Sequence, residues 1–276
     1  MTPMRDFVML FDEKEGTTPI VRLLDNFPQV DVIRTWGEWE PFDRHACGPM
    51  PLASLLECID LVYSRAPVAE INRIYERTAT RSLSEFCRGV SVGFKMRFRP
   101  SLESESRGRF SAAMIELLKR HDVLVFLAVR QDLLRWALSK YHGDGTGRAG
   151  HIQFRLASGR LTREEIPRIT VDPEALERTI ERCREIHEQK RHLASDLQGA
   201  GIEVVPMRYE DFLADAVAFL TDALDHLGHE VAESEVRDAL ARGALIQRVH
   251  GDDLSEFFVN ASEIESRFGD RFEAWP

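Results

Sequence analysis

Apolar and polar positions alternate along the chain in two rhythms, and together they predict strands and helices in turn. Phe7 to Phe11 is a continuous apolar run, the pattern of a strand buried on both faces. A polar turn follows from Asp12 to Thr18, and then Ile20, Val21, Leu23, Leu24 and Phe27 recur at helical spacing. Pro19 suits the first turn of that helix, where its missing N–H costs nothing. Asp31 to Thr35 reads as a second short strand. Gly89 to Phe98 is a third, Val123 to Val129 the strongest buried-strand signal of the chain, and Ile202 to Tyr209 a fifth.

Helical patterns fill the intervals. Residues 51 to 88 carry one stripe of Leu52, Leu55, Leu56, Ile59 and Leu61 and another of Ile71, Ile74 and Tyr75. Phe110 to Arg120 is a short amphipathic helix, and Leu133, Leu134, Trp136, Ala137 and Leu138 mark another. Asp172-Pro173 opens a long helix with Asp as N-cap, and Gly199-Ala200-Gly201 ends it. Its buried face is Leu176, Ile180, Cys183, Ile186, His187, Leu193 and Leu197. Residues 216 to 245 hold two more helices, with Leu220, Leu224 and Leu227 on one stripe. Strands alternating with helices predict an α/β chain in three layers around a mostly parallel central sheet. In the third strand Lys95, Arg97 and Arg99 share one face, the mark of an edge strand guarded by charge.

Composition narrows the function. The 276 residues are 43% hydrophobic and 30% charged, ordinary for a globular domain, and form one unit over residues 1–276. A net charge of -10 disfavours non-specific binding to nucleic acid or anionic membranes. No secretion signal opens the chain and no run is long enough to cross a bilayer. Cys47, Cys58, Cys87 and Cys183 are scattered without metal-ligand or redox spacing, so reduced thiols, a cytoplasmic setting and no metal are expected.

Candidate chemistry gathers after the strands. A strand, a Gly-containing turn and a helix aim backbone N–H groups at an anion, and Lys14, Gly16, Thr17 and Thr18 lie in that turn. The turn is not a Walker A loop, which needs a second glycine followed by Lys-Ser/Thr. Arg130 ends the fourth strand, with Ser139 two helical turns on; a guanidinium and a hydroxyl so placed can converge on one phosphate. Glu38, Glu40 and His45, in the aromatic and acidic segment after the second strand, are candidate proton acceptors. Glu210 and Asp211 read as capping and orienting groups at a helix start. The Gly-rich stretch 142–150 opens a candidate substrate loop or lid covering about 142–171.

These segments, in this order, resemble the PAPS-dependent sulfotransferase family, its bacterial, trehalose-type members in particular. Lys14-Glu15-Gly16-Thr17-Thr18 resembles that family's 5′-phosphosulfate loop. Gly37-Glu38 and Glu40-Pro41-Phe42 both resemble the segment that carries the base in trehalose-type relatives, and Gly93-Phe94-Lys95 resembles a Gly-x-Lys strand. Arg130 through Ser139-Lys140-Tyr141 resembles the 3′-phosphate segment. Tyr209-Glu210-Asp211-Phe212, Gln247-Arg248 and Val259-Asn260 to Glu263-Ile264 resemble later family features.

The resemblance implies a P-loop nucleotide-kinase-like sulfotransferase fold. It implies transfer of a sulfuryl group from 3′-phosphoadenosine 5′-phosphosulfate (PAPS) to a hydroxyl or amine of a small-molecule or carbohydrate acceptor. The product nucleotide would be 3′-phosphoadenosine 5′-phosphate (PAP), with no metal; a homodimer is compatible with it. Lys14 would stabilise the leaving phosphate; Glu15, Gly16, Thr17 and Thr18 would form the phosphosulfate loop; Arg130, Ser139 and Arg248 would hold the 3′-phosphate. Glu15 and Pro19 depart from the family pattern, and the segment from Arg130 to Ser139 is one residue longer than the commonest spacing and lacks its Pro. A carboxylate beside a phosphosulfate must turn away, toward Arg22 or another cation, or repel the donor. The alternative function is therefore a non-catalytic nucleotide-binding or interaction protein on the same fold.

Overall fold

The computed structural model describes residues 3–35, 39–42, 50–77, 79, 82–83, 89–98, 112–145, 162, 165–166, 168–242 and 253–275. Its centre is a five-stranded sheet, β1 (Phe7–Phe11), β2 (Val30–Val32), β3 (Ser91–Arg97), β4 (Leu124–Val129) and β5 (Val204–Arg208). The spatial order is β2-β3-β1-β4-β5 and every pairing is parallel. Parallel neighbours need crossovers, and the intervening helices supply them: α1 (Thr17–Leu24), α2 (Leu52–Tyr63), α3 (Val68–Tyr75), α4 (Ala112–Arg120), α5 (Leu133–Gly145) and α6 (Pro173–Gly199). After β5 come α7 (Tyr209–Ala214), α8 (Ala216–His226), α9 (Glu233–Arg242), a short 3₁₀ turn (Leu254–Glu256) and α10 (Ala261–Phe268).

The two-residue period of the strands divides the core into two layers. On β1, Val8 and Leu10 face the larger cluster, which holds residues of α2 to α6 and α10. Phe7 and Met9 face the other, shared with α1, α8 and α9. Val125, Leu127 and Val129 on β4 follow the first face, Leu124 and Phe126 the second. This is the three-layer α/β architecture expected from the pattern. The edges are β2 and β5, and Pro206 sits on β5, where an edge strand tolerates a missing N–H.

β3 is not an edge. It lies between β2 and β1, and Lys95 is only 2% exposed. The alternating cations of that strand therefore do not guard an open edge; Lys95 is buried because it has partners on the α1 side of the sheet. Beside it, Gly93 makes room for Phe7: a Cβ there would lie 2.3 Å from the Phe7 ring.

Connections leave β1 toward β2 and leave β4 toward β5, so the crevice between the carboxyl ends of β1 and β4 is the topological switch point. α5 runs to Gly145, further than the loop expected from His142. α6 begins as its cap predicts: the Asp172 side chain accepts from the Glu174 N–H at 2.9 Å, with Pro173 in first position. The carboxyl-terminal segment packs back behind β4. Asn260 holds it, accepting from the Val171 N–H at 3.0 Å and donating to the Val171 carbonyl at 2.9 Å.

Candidate functional site

The turn between β1 and α1 lies on one side of the switch-point crevice. Two of its residues adopt the left-handed conformation, Lys14 at φ 65° and Gly16 at φ 76°. For a residue with a Cβ this geometry is uncommon and is kept only when its surroundings impose it. Gly16 has a second reason to be glycine: a Cβ there would sit 2.3 Å from the Tyr209 ring. Gly16 is also the N-cap of α1 and caps it with no side chain. Among the described residues no side chain caps the first N–H groups of α1, and Pro19, within the first turn, has none to offer.

Every residue of the turn from Asp12 to Glu15 has a partner outside the turn. Asp12 pairs with Lys140 of α5. The Glu13 carbonyl accepts from Trp136 Nε1 at 2.8 Å, and its carboxylate pairs with Arg97 of β3. The Lys14 carbonyl accepts from Arg130 Nη1 at 2.8 Å. Glu15 lies beneath the turn, 1% exposed, with both carboxylate oxygens on Lys190 of α6, the first at 2.6 Å. Glu15 also accepts from the Asp12 N–H at 2.6 Å, closing the turn on itself. The carboxylate that looked out of place beside an anion thus points away from the crevice, toward Lys190. Arg22 instead stacks near Trp39, its guanidinium carbon 5.5 Å from the ring centroid.

The opposite side of the crevice is the end of β4. Arg130 Nη1 reaches Ser139 Oγ at 3.2 Å as well as the Lys14 carbonyl, and its guanidinium carbon lies 5.1 Å from the Tyr209 ring centroid. Ser139 donates to the Arg135 carbonyl at 2.8 Å, which leaves its oxygen lone pairs toward Arg130. Glu210, read as an orienting group, accepts from the N–H groups of Gln131 and Asp132, each at 3.1 Å. It fixes the turn out of β4, and with it the start of the segment that carries Arg130.

A third component lies toward β3. Lys95 Nζ donates to Thr18 Oγ1 at 2.8 Å and pairs with Glu40 Oε1 at 2.8 Å. Burial lowers the Lys95 pKa, and the Glu40 carboxylate acts against that shift. Glu40 also lies 3.9 Å from Arg97. A cation, a hydroxyl and a carboxylate are therefore in contact next to the first turn of α1.

Of the residues singled out in the sequence, Lys14, Glu15, Gly16, Thr17, Thr18, Arg130, Ser139 and Glu40 come together around this crevice. Glu38, His45 and Arg248 lie outside the described residues, as does most of the 142–171 segment. Sequence reasoning did not count Lys95, Lys140 and Lys190 among the site cations. For Lys190 a signal was available. It falls on the apolar stripe of α6, one turn after Ile186 and His187 and one before Leu193, where a charge needs a buried partner.

The electrostatics follow from burial. Burial pushes the Glu15 carboxyl up to about 7, opposed by the adjacent Lys190, and burial in turn lowers Lys190. Burial raises the Asp12 pKa, but Lys140, Lys190 and the Glu13 N–H together outweigh it, and Asp12 ends below its ordinary value. Each acid of the turn faces a cation, whereas exposed Lys14 has no carboxylate partner among the described residues. Lys14 and the α1 N-terminus thus give an acidic chain a local positive site, suited to an anion. No cluster of His, Cys, Asp and Glu that could hold a metal occurs among the described residues, and no described helix is long and apolar enough to cross a membrane.

No protein-family model matches the chain, and no curated protein does. Among solved structures, it is similar to a sulfotransferase from Alicyclobacillus acidocaldarius at 16% identity, over 92% of this chain and 98% of that one, with a TM-score of 0.42. It is similar also to a sulfotransferase from Mycobacterium avium at 13% identity, over 98% of this chain and 76% of that one, with a TM-score of 0.42.

Proposed function

We propose that the chain is a sulfotransferase that takes its sulfuryl group from PAPS and passes it to a hydroxyl or amine of a small-molecule or carbohydrate acceptor. One observation carries this reading. A pre-shaped anion turn at the start of α1 and the Arg130–Ser139 pair face each other across the β1/β4 crevice, joined by the Arg130 contact to the Lys14 carbonyl. A nucleotide with a group to transfer at its 5′ end and a phosphate at its 3′ position needs two such anion sites. Glu15 supports the placing of the donor's 5′ end at this turn, because its carboxylate is turned below it onto Lys190 rather than toward a bound anion.

In the reaction, the acceptor oxygen or nitrogen attacks sulfur, the bond from sulfur to the bridging oxygen breaks, and that electron pair stays on the 5′-phosphate. Such transfers depend on positioning and charge stabilisation more than on covalent help from the protein. Lys14 and the first N–H groups of α1 stabilise the charge growing on the leaving phosphate. Thr17 and Thr18 supply hydroxyls, Thr18 oriented by Lys95. Arg130 and Ser139 hold the 3′-phosphate, with Arg248 as a further cation. The acceptor's proton passes to a carboxylate or imidazole of the 38–45 segment. Glu40 has the best-supported position, 2.8 Å from Lys95, while Glu38 and His45 remain candidates for the same role.

The test is calorimetric titration with PAP and, separately, with adenosine 5′-phosphate. PAP should bind at least about tenfold, or 1.4 kcal/mol, more tightly. Equal affinities, or no binding of PAP, would overturn the reading. PAP release from PAPS in the presence of a panel of hydroxyl and amine acceptors then separates an enzyme from a binding protein on the same fold, which would bind PAP and transfer nothing.

A further inference from the structure

Lys190 reaches the turn from beneath, through Glu15. It is fully buried, with side-chain exposures of 0% for both itself and Glu15. Its ammonium makes three hydrogen bonds, two to the Glu15 carboxylate and one to the Ala128 carbonyl near the end of β4. All three ammonium protons are therefore used, and the Phe98 and Trp136 rings stand 5.4 and 6.0 Å away. Through this one atom the β1–α1 turn is tied to β4, across the strand boundary over which the crevice opens. Glu15 completes the connection by accepting the Asp12 N–H, so its carboxylate fixes both ends of the turn.

We infer that Lys190 is a positioning residue for the anion turn: by holding Glu15 down, it sets the backbone of residues 12–16, left-handed at Lys14 and Gly16, in the shape that presents the α1 N-terminus. This deepens the sulfotransferase reading and rests on it for the identity of the ligand. The physical case has two parts. A buried ion pair is costly to assemble and adds little stability over an apolar pair of similar volume, so stability alone is a weak reason for it. Directional bonds from one ammonium to three oxygens, by contrast, specify one arrangement of the turn. The pair also neutralises a carboxylate that would otherwise oppose an anion bound above it.

If Lys190 acts through Glu15, its effect must depend on Glu15. The experiment compares wild type, K190M, E15Q and E15Q/K190M. Three quantities are read: PAP affinity by calorimetry, thermal midpoint, and hydrogen exchange of the backbone amides of residues 13–18 in the ligand-free protein. K190M should weaken PAP by about tenfold or more and speed exchange in the turn. In the E15Q background the same substitution should change PAP affinity by less than about threefold, because interacting residues do not contribute additively. Should K190M fail to fold, E15Q/K190M carries the test. A neutral pair should keep a near-native thermal midpoint while PAP affinity still falls about tenfold. Independent, additive losses, or a lowered midpoint with wild-type affinity and wild-type exchange in the turn, would overturn the proposal and leave a structural pair. If wild type itself binds no PAP, the sulfotransferase reading fails. The exchange arm then still decides whether Lys190 shapes the turn.

Discussion

Replacing Arg130 with alanine separates the two anion sites. Arg130 has two visible tasks, a bond to the Lys14 carbonyl at 2.8 Å and one to Ser139 Oγ at 3.2 Å, and the proposed third is the donor's 3′-phosphate. Losing the Lys14 tie loosens the 5′ turn by about 1 kcal/mol, so adenosine 5′-phosphate should bind roughly fivefold more weakly. Losing a charge-assisted contact to the 3′-phosphate adds about 1.5–3 kcal/mol, felt only by PAP, or a further 10- to 150-fold, roughly. The selectivity of PAP over adenosine 5′-phosphate should therefore fall by about one to two orders of magnitude. Titration calorimetry of both ligands at one fixed salt concentration reads this directly. Arg130→Lys should fall between, since an ammonium keeps the charge but not the planar fork. Equal proportional losses for the two ligands would refute the placement of the 3′-phosphate at Arg130, whatever the absolute affinities.

Three further outcomes are expected. Lys14→Ala should lower kcat by about 10²- to 10³-fold with little change in thermal midpoint, because the side chain is exposed while its carbonyl holds the contacts; near-wild-type turnover would remove Lys14 from the chemistry. Gly16→Ala places a Cβ 2.3 Å from the Tyr209 ring at φ 76°, a strain of roughly 2–4 kcal/mol that should lower the thermal midpoint by about 5 °C or more and abolish tight PAP binding; an unchanged midpoint would refute the close approach. His187, fully buried between Trp136 and Trp275, is held near a pKa of about 3 chiefly by burial, so the unfolded chain binds a proton that the folded one refuses between pH 6.5 and 3. Its stability contribution is complete above pH 6.5 and is lost on acidification, about 2 kcal/mol of it by pH 5; urea midpoints at pH 7.5 and 5 should differ more for wild type than for His187→Phe, and equal differences would refute the assignment.

What could be read from the sequence is local in origin. β1 and β4 announce themselves because an interior parallel strand is buried on both faces, so its apolar run needs no partner to be recognised. The start of α6 is equally local: Asp172 and Pro173 satisfy the helix end within three residues. The meeting of two distant segments was also legible, since Lys14 and Arg130 each follow a strand and the switch point collects strand ends.

The misread charges have one cause, which is that their partners lie far away in the chain. Lys95 looked like the guard of an open edge because Thr18 and Glu40, which make its burial tolerable, are separated from it by 77 residues in one case and held by a different segment in the other. Glu15 looked hostile to an anion because its cation lies 175 residues away on α6. Yet three of the four charges in these pairs were locally anomalous: a lysine in a buried strand, a lysine on an apolar helix stripe, an acid in an anion turn. An ionised group out of water needs a counter-charge or a shifted pKa. Anomalies of opposite sign should therefore be sought in pairs before any one is explained by itself. Applied here, that rule leaves Glu15 and Glu40 to be matched with Lys95 and Lys190. The strand geometry then decides the assignment: Lys95 extends from β3 toward α1 and the segment of Glu40, while Glu15, below the turn, is met by Lys190 from the helix that packs against β4.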